Sequence, residues 1–278
     1  MMPAARAFRI VTPCLNAERL VGETMKSVLE QSALESGRVR LEYWIVDGGS
    51  TDRTVEIARS HRSDAVHVIS EPDRGMYDAL VKGLRGASAG VSAYLNAGDL
   101  YSRQAFDAVL DVFDSRRVKW LTGMEVAYNE KSQVIHVALP YRYRARLFQC
   151  GAYGTILPFL QQESTFWDSS LNARIDFERL GRFRYAGDYY LWHTFSSFEP
   201  LVIAQAHLGG FRVHPGQMSR VHMDLYLEEM LSICRRATPL DYALALADRV
   251  VWSSPVRVKK ALNREGLFRY DPRLQAWI

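Results

Sequence analysis

The sequence predicts an α/β fold: a doubly wound, mostly parallel sheet with a small antiparallel element and C-terminal helices. Two observations predict it. Short apolar runs alternate with segments whose apolar residues recur at helical spacing, and this alternation is typical of a parallel sheet. From Lys119 onward the pattern changes, which indicates a second structural element. With 278 residues, 48% of them hydrophobic, the chain can bury a sizeable core.

Four strands and the helices between them are predicted in the first half. The strands are Phe8–Thr12, Leu41–Val46, Val66–Ile69 and Val91–Leu95. Helical spacing follows in Val21–Leu29, Val55–Ala58, Met76–Leu84 and Phe106–Phe113. Each strand is thus followed by a helix, which places the next strand parallel to it.

The second half predicts a different arrangement. Strands in Trp120–Tyr128 and Val134–Leu139 indicate an antiparallel element, and Gly151–Leu160 has the composition of a long mobile loop over a site. Asp224–Ile278 has a helical pattern broken at Pro239 and Pro255. We therefore divide the chain into a domain at 1–222, with halves at 1–118 and 119–222, and a helical extension at 223–278.

Composition narrows the class of protein. The 35 basic and 31 acidic residues leave a net charge of +4, too mild for nucleic acid to be the main partner. Three scattered cysteines, Cys14, Cys150 and Cys234, indicate neither a disulfide framework nor a zinc cluster, and fit a reducing cytoplasm. Residues 1–9 lack the apolar core of a signal peptide, and no run of about 18 apolar residues occurs. We expect a soluble or peripheral cytoplasmic protein.

A glycine-rich turn follows the second predicted strand. The apolar run Tyr43–Val46 leads directly into Asp47-Gly48-Gly49-Ser50-Thr51-Asp52. In an open α/β sheet, ligands bind at the carboxyl ends of strands, where turn backbones can approach a base or ribose. Asp47 would be the acceptor at the strand end. The alternative is an ordinary turn in which Thr51 or Asp52 caps the next helix.

Seven motifs in order give the chain a family resemblance. It resembles the family 2 glycosyltransferases of the GT-A fold, and the match covers most of the sequence. The motifs are Thr12-Pro13-Cys14-Leu15-Asn16, Val46–Asp52, Ser70–Ala79, Tyr94-Leu95-Asn96-Ala97-Gly98-Asp99, Gln161–Trp167, Tyr185–Trp192 and Gly210–Ser219.

The resemblance implies a nucleoside-diphosphate sugar as donor. Thr12, Pro13 and Asn16 would line the base, and Asp47 would anchor it. Residues just beyond other strand ends would touch the ribose, the base edge or the diphosphate, with Arg74 as the phosphate contact. These candidates are Asp73, Arg74, Asp78 and Asn96.

Departure of the donor diphosphate requires a divalent cation or fixed cationic groups. Asp99, after the strand Val91–Leu95, is the predicted ligand of Mg²⁺ or Mn²⁺. The family usually has two acidic residues here, and Gly98 stands where the other would be. The alternative is that Asp99 is a turn or capping residue. The loop after Arg212 is implied to cover the diphosphate, so that His214 and Gln217 contact the phosphate or the metal.

Direct transfer with inversion needs a group that takes the proton from the acceptor hydroxyl. Asp188 matches the family's catalytic base, although it could also cap the helix starting at Tyr189. The resemblance places Glu163 and Trp167 at the acceptor site. Asp168 departs from the family, which usually has a basic residue at this position.

The predicted function is inverting transfer of a sugar to a hydroxyl of a glycan or lipid-linked acceptor, in cell-surface polysaccharide synthesis. The alternative is a non-catalytic nucleotide-sugar-binding subunit of a glycan assembly complex. Nucleotidyl transfer would require a basic glycine-rich loop near the amino terminus, whereas residues 12–22 contain only Arg19 and Gly22. A basic cluster in the C-terminal helices favours the inner face of an anionic membrane. Its members are Arg257, Lys259, Lys260 and Arg264.

Overall fold

A mostly parallel eight-stranded sheet forms the centre of the protein, as predicted. The computed structural model describes residues 5–61, 63–87, 90–116, 118–213 and 222–278. The strands are β1 (Arg6–Cys14), β2 (Val39–Asp47), β3 (Val66–Ser70), β4 (Val91–Tyr94), β5 (Leu100–Tyr101), β6 (Trp120–Thr122), β7 (Glu125–Tyr128), β8 (Val134–Ala138), β9 (Thr165–Asp168), β10 (Val202–Ala204), β11 (Gly209–Arg212), β12 (Leu267–Phe268), β13 (Tyr270–Asp271) and β14 (Ala276–Trp277). The order in the large sheet is β12-β10-β6-β9-β4-β1-β2-β3.

The α-helices follow the strands in the predicted alternation. They are α1 (Val21–Leu29), α2 (Ser32–Glu35), α3 (Thr54–Ser60), α4 (Met76–Leu84), α5 (Ala105–Arg116), α6 (Ala145–Gln149), α7 (Ala152–Thr155), α8 (Phe177–Leu180), α9 (Gly187–Phe195), α10 (Met223–Ile233), α11 (Pro239–Trp252) and α12 (Val256–Leu262). The apolar face of α1, with Val21, Met25 and Val28, is fully buried. The apolar residues of this segment recur with the period of 3.6 residues because they form this buried face.

Register aligns the carboxyl ends of the first strands. In the parallel pairing of β1, β2 and β3, Cys14 lies opposite Asp47, and Asp47 lies opposite Ser70. On the other side β4 pairs in parallel with β1, and the amide of Leu95 donates to the carbonyl of Val11 at 2.9 Å. The turns after these strands therefore meet at one edge of the sheet, where the predicted donor residues lie.

The second half mixes both strand directions. β9 runs antiparallel to its neighbours β4 and β6, while β6, β10 and β12 are parallel to one another. The smaller sheet has the order β5-β11-β7-β8 and contains the hairpin of β7 and β8. The region Trp120–Tyr128 thus contributes to both sheets, whereas the sequence predicted only a separate antiparallel element.

The segment Gly151–Leu160 is largely packed into the protein rather than an exposed loop, and Phe159 packs on Tyr226. It contains α7, and Tyr153, Leu157 and Leu160 are buried in the core. The Tyr153 hydroxyl accepts a hydrogen bond from the amide of Arg144 at 2.7 Å and donates to the carbonyl of Arg142 at 3.1 Å. Its irregular composition reflects a turn that is folded into the protein rather than exposed.

The C-terminal segment is only partly helical. It contains α10, α11 and α12, but β12 pairs with β10 in the large sheet and β13 pairs with β14 in a hairpin. Pro239 and Pro255 start helices: Pro239 opens α11 behind the capping residue Thr238, and Pro255 precedes α12. Among the described residues, no helix is both long and apolar enough to cross a bilayer. The division at residue 222 stays a prediction.

Candidate functional site

A pocket of about 630 Å³ opens at the predicted edge of the sheet. This volume is in the range of small-molecule sites. Four of the predicted donor residues line it, namely Pro13, Asn16, Asp73 and Asn96. The rest of its lining is Cys14, Leu15, Ala17, Leu20, Gly75, Met76, Ala79, Ala97, Arg184 and Tyr185.

Asp47 organises the glycine-rich turn at this edge. Its side chain is buried, and its Oδ2 accepts hydrogen bonds from the amides of Gly49 at 3.1 Å and Ser50 at 3.0 Å. The Ser70 hydroxyl donates to the same oxygen at 2.8 Å, and the Ser50 hydroxyl donates to Oδ1. These bonds use most of the acceptor capacity of a carboxylate. Asp47 therefore holds the turn in place, and direct contact with a base stays a prediction.

Asn16 joins the first strand end to this turn. Its backbone lies in the left-handed region, with φ of 48°. Its side-chain Oδ1 accepts from the amide of Thr51 at 3.0 Å, and its own amide donates to the Ser50 hydroxyl at 2.7 Å. Asp52 accepts from the amide of Thr54, the first residue of α3, at 3.0 Å, although the N-cap position itself is Arg53.

Asp73 lies against the same turn. A Cβ at Gly48 would stand 2.8 Å from Asp73 Oδ2, so only glycine allows this approach. The other carboxylate oxygen of Asp73 accepts from the amide of Gly75 at 2.9 Å. Arg74 and Asp78 are not among the pocket-lining residues. They form an ion pair at 2.8 Å, with the Arg74 side chain 69% exposed.

Two predicted contact residues lie in the core, and their contacts with substrate stay predictions. Thr12 is fully buried, with its hydroxyl 2.9 Å from that of Tyr43. Trp167 is also fully buried, and its indole donates to Asn172 Oδ1 at 2.8 Å while its ring packs on Trp192. Both side chains project from strands of the central sheet into its packed layers, and neither lines the pocket.

Asp99 and Glu163 form a buried pair of carboxyl groups. Each residue is only 5% exposed. Burial and the charge of Asp99 raise the pKa of Glu163 well above its usual range, and burial also raises the pKa of Asp99. Two carboxylates buried in contact cannot both ionise cheaply, and both pKa values lie above their usual range. Glu163 is thus held inside the protein, and contact with an acceptor stays a prediction.

The residues around Asp99 fit a divalent cation poorly. Asp99 Oδ1 accepts from the amide of Arg212 at 2.9 Å, and Asp99 does not line the pocket. Mg²⁺ and Mn²⁺ need several oxygen ligands, usually with at least one ionised carboxylate. Within the described ranges, no three His, Cys, Asp or Glu side chains come together as a metal site. Asn96 Oδ1, buried and without a hydrogen-bond partner, is the oxygen most available to a ligand there.

Gly98 has a conformational reason to be glycine. Its φ of 115° is rarely adopted by other residues, and its amide donates to the Thr24 hydroxyl at 2.8 Å. The Arg212 side chain, 3% exposed, donates to the Gly98 carbonyl at 2.7 Å and pairs with Glu23 at 2.5 Å. The loop is therefore fixed in a shape that an acidic residue at position 98 would strain.

Asp188 lies in the first turn of α9, three residues after the pocket-lining Tyr185. Its Oδ1 accepts from the Tyr226 hydroxyl at 3.0 Å and from the amide of Tyr189 at 2.7 Å. The Tyr77 hydroxyl is 3.3 Å from the same oxygen and 2.9 Å from the carbonyl of Tyr185, so its one proton serves either acceptor. Burial raises the pKa of Asp188 to about 6.

Helix α10 holds the chain that leads to Asp188. The Glu229 carboxylate accepts from three consecutive amides, those of Arg184 at 2.9 Å, Tyr185 at 2.7 Å and Ala186 at 2.6 Å. A carboxylate that gathers several amides fixes a loop strongly, because each hydrogen bond is charge-assisted. Together with Tyr226, Glu229 makes α10 part of the site.

Comparison with known proteins identifies the family. The family model for Glycosyl transferase family 2 matches residues 9–188. The chain belongs to this family. An uncharacterized glycosyltransferase of Mycobacterium tuberculosis H37Rv is 28% identical over 180 residues, which cover 63% of each chain. A PGL/p-HBAD biosynthesis glycosyltransferase of Mycobacterium bovis BCG is 25% identical over 191 residues, which cover 62% of this chain and 70% of that protein.

Solved structures support the same GT-A fold for this family 2 member. Staphylococcus aureus TarS 1-349 in complex with UDP-GlcNAc aligns with a TM-score of 0.55 and 13% identity, covering 91% of this chain and 69% of that one. The mannosyltransferase PcManGT of Pyrobaculum calidifontis, in complex with GDP-Man and Mn²⁺, aligns with a TM-score of 0.51 and 16% identity, covering 93% and 79%. At this identity the likeness concerns the fold alone.

Several functional candidates of this family 2 chain carried no local signal in the sequence. Arg184 belongs to no catalytic pattern, and Tyr226 and Glu229 stand 38 and 41 residues beyond Asp188. Asp168, which departs from the family, pairs with Arg6 at 3.0 Å and accepts from the amide of Ser170 at 3.0 Å, so its role here is structural. His214 and Gln217 lie outside the described residues.

Replacement of Glu163 by Gln should flatten the pH dependence of stability. The folded state raises the pKa of Glu163 above the value near 4.5 that it has in the unfolded chain. The contribution of protonated Glu163 to folding stability is therefore fully present below pH 4.5 and is lost as pH rises through the folded-state pKa. Gln cannot lose a proton. We expect E163Q to gain stability relative to the wild type by on the order of 1 kcal/mol between pH 5 and about pH 8, measured by urea unfolding. If the unfolding free energies of E163Q and the wild type differed by the same amount at both pH values, a raised pKa of Glu163 in the folded state would be contradicted.

Proposed function

We propose that the protein is an inverting glycosyltransferase that transfers one sugar from a nucleoside-diphosphate donor to a hydroxyl of a glycan or lipid-linked acceptor. The observation that carries this proposal is a partly exposed carboxylate, Asp188, which α10 holds just beyond the pocket wall. The family supports glycosyl transfer. A relative named for PGL/p-HBAD biosynthesis supports a role in making cell-surface glycans or glycolipids.

The pocket is proposed to hold the donor nucleotide. Pro13, Asn16 and Asp73 surround the space beside the Asp47 turn, where a base and ribose would lie. Related folds bind UDP-GlcNAc and GDP-Man, which supports a nucleotide sugar without selecting its base. Among the described residues, Arg184 is the cationic group that lines the pocket, and its guanidinium is 3.4 Å from the carbonyl of Arg74. We assign Arg184 to the diphosphate, with Arg74 next to it.

Dependence on Mg²⁺ or Mn²⁺ stays a prediction of the family resemblance. A bound cation would neutralise the leaving diphosphate. Among the described residues, Asn96 Oδ1 could contribute one oxygen, but the Asp99 carboxyl is engaged by Glu163 and the Arg212 amide. Arg184 and Arg74 would supply part of the same charge stabilisation.

Asp188 is proposed to act as the catalytic base through Oδ2. Tyr226 and the amide of Tyr189 occupy Oδ1, whereas no donor among the described residues reaches Oδ2. As the acceptor oxygen attacks the anomeric carbon, its proton passes to Oδ2. The bond between the sugar and the diphosphate breaks, and the diphosphate leaves with the electron pair. With a pKa of about 6, Asp188 is mostly ionised at neutral pH yet basic enough to accept the proton.

The contrasting proposal is a non-catalytic subunit that binds nucleotide sugars. This alternative draws on Gly98 and Asp168, which depart from the family pattern. Both have structural roles in this protein, so they no longer favour loss of activity.

We also propose that the protein acts at the cytoplasmic face of the membrane, where it would meet a lipid-linked acceptor.

Donor binding is tested by thermal shift with UDP-, GDP- and dTDP-sugars, each with and without Mn²⁺. One nucleotide should raise the melting temperature, because binding to the folded state alone stabilises it. R184A should weaken that donor about tenfold, whereas R182A, an exposed neighbour outside the pocket lining, should not. No stabilisation by any donor would contradict the assignment of the pocket. A shift that requires Mn²⁺ would support metal dependence.

Catalysis is tested by replacing Asp188 with Asn. Asn keeps the size and can still accept from Tyr226, but it is not a base. We expect transfer to fall by about 10²-fold or more while the donor-induced thermal shift is unchanged. Unchanged turnover would exclude Asp188 as base, and a wild type that binds donors without turnover would favour the binding subunit.

Tyr226→Phe should change the pH profile of transfer. The Tyr226 hydroxyl favours ionised Asp188, so its loss raises the pKa of Asp188 from about 6 and moves the acid limb of kcat to higher pH. We expect about a tenfold loss of kcat at pH 6, with partial recovery at higher pH. Tyr189→Phe is the matched control, because its hydroxyl donates to the carbonyl of Phe148 at 2.9 Å instead. The same profile in both variants would exclude a specific role for Tyr226.

A further inference from the structure

Helix α11 has a row of large apolar side chains on the outside, in addition to apolar residues that face the core. Tyr242, Leu246 and Val250 are spaced four residues apart, so they form one stripe along the helix. They are 53%, 56% and 70% exposed, and Leu240 in the first turn is 55% exposed. A surface helix usually turns its apolar stripe toward the core. The outward stripe of α11 therefore needs a different explanation.

The charged side chains of α11 show that this orientation is built into the protein. Asp241 and Asp248 are 1% and 2% exposed. Asp248 pairs with Arg144 at 2.6 Å, and Asp241 pairs with Arg146 at 2.5 Å and Arg235 at 2.7 Å. These ion pairs, together with the buried Ala245 between the two aspartates, attach this side of α11 to the body of the protein and leave the stripe of Tyr242, Leu246 and Val250 facing outward.

Helix α12 also exposes apolar side chains. In α12, Val258 and Leu262 stand four residues apart and are 39% and 50% exposed. Arg257 on α12 and Arg249 on α11 are also exposed. α12 has no acidic residue, and both acidic residues of α11 are buried. The exposed surface of the two helices thus combines apolar side chains with positive charge alone.

The predicted basic cluster contributes less than its sequence suggests. Lys259 is 7% exposed, and its ammonium donates to the carbonyl of Leu139 at 2.6 Å. It therefore serves to attach α12 to the protein. The remaining exposed cations can attract an anionic partner, but binding would also depend on the apolar stripe.

We propose that the outward face of α11 and α12 binds an anionic lipid surface. Apolar side chains of an interfacial helix enter the boundary between headgroups and acyl chains, while arginines at its edges contact anionic headgroups. A two-fold contact with a second copy would bring like charges together, with no exposed acidic residue on either helix to offset them. This inference deepens the proposed function, on which it rests for the lipid-linked acceptor.

The test is co-sedimentation of the full chain with vesicles of phosphatidylcholine alone, or with about a third phosphatidylglycerol. The wild type should bind the anionic vesicles, and L246S/V250S should lower that binding at least about tenfold. The matched control is I135S/V137S on β8, where the replaced side chains are 56% and 52% exposed. It should bind like the wild type.

Three outcomes would overturn the lipid surface: no binding of the wild type, equal loss in both double variants, or a wild-type dimer that L246S/V250S converts to a monomer. The last outcome would assign the face to a second copy.

Release of nucleoside diphosphate, measured without vesicles, separates this inference from the proposed function. L246S/V250S should release it at the wild-type rate, whereas D188N should not. A vesicle-binding protein without such release would contradict only the proposed function.

Discussion

The parallel pairing of β1 with β2 and β4 is the constraint on which the rest of the structure depends. Together with the parallel pairing of β2 with β3, it places Cys14, Asp47 and Ser70 in one row and brings the turns after these strands to one edge. A shift of one residue would turn the buried side chains of β1 to the wrong side of the sheet, so the packed core on both faces holds this register. The pocket is the space that remains where these strands stop.

Burial explains why several acidic residues at this edge do not act as a sequence motif suggests. A carboxylate that leaves water must find donors or keep a proton. Asp47 finds donors in its own turn, whereas burial raises the pKa values of Asp99 and Glu163, which are in contact with each other. Asp188 is intermediate, because it is partly exposed and its donors gather at one oxygen. Burial and donors therefore differ among these four carboxyl groups, and this difference is what supports Asp188 as the proposed base.

Helix α10 connects the site to the C-terminal part of the chain. Through Tyr226 and Glu229 it contacts both Asp188 and the three amides before it. α11 is attached by the ion pairs of Asp241 and Asp248. The residues that hold the proposed base and those that present the proposed lipid surface thus belong to consecutive helices, which would place the acceptor's membrane on the side of the protein that α10 to α12 occupy.

The sequence by itself determined the alternation of strands and helices, the family, and the loops that form the pocket, because apolar periodicity and glycine-rich turns are local properties. It could not determine which side of a strand Thr12 or Trp167 would face in a sheet buried on both faces. Nor could it pair Asp99 with Glu163, bring Tyr226 and Glu229 to Asp188, or turn the apolar stripe of α11 outward. Tertiary structure decided these, because each depends on contacts between residues distant in the chain and on burial, which sets the cost of every charge.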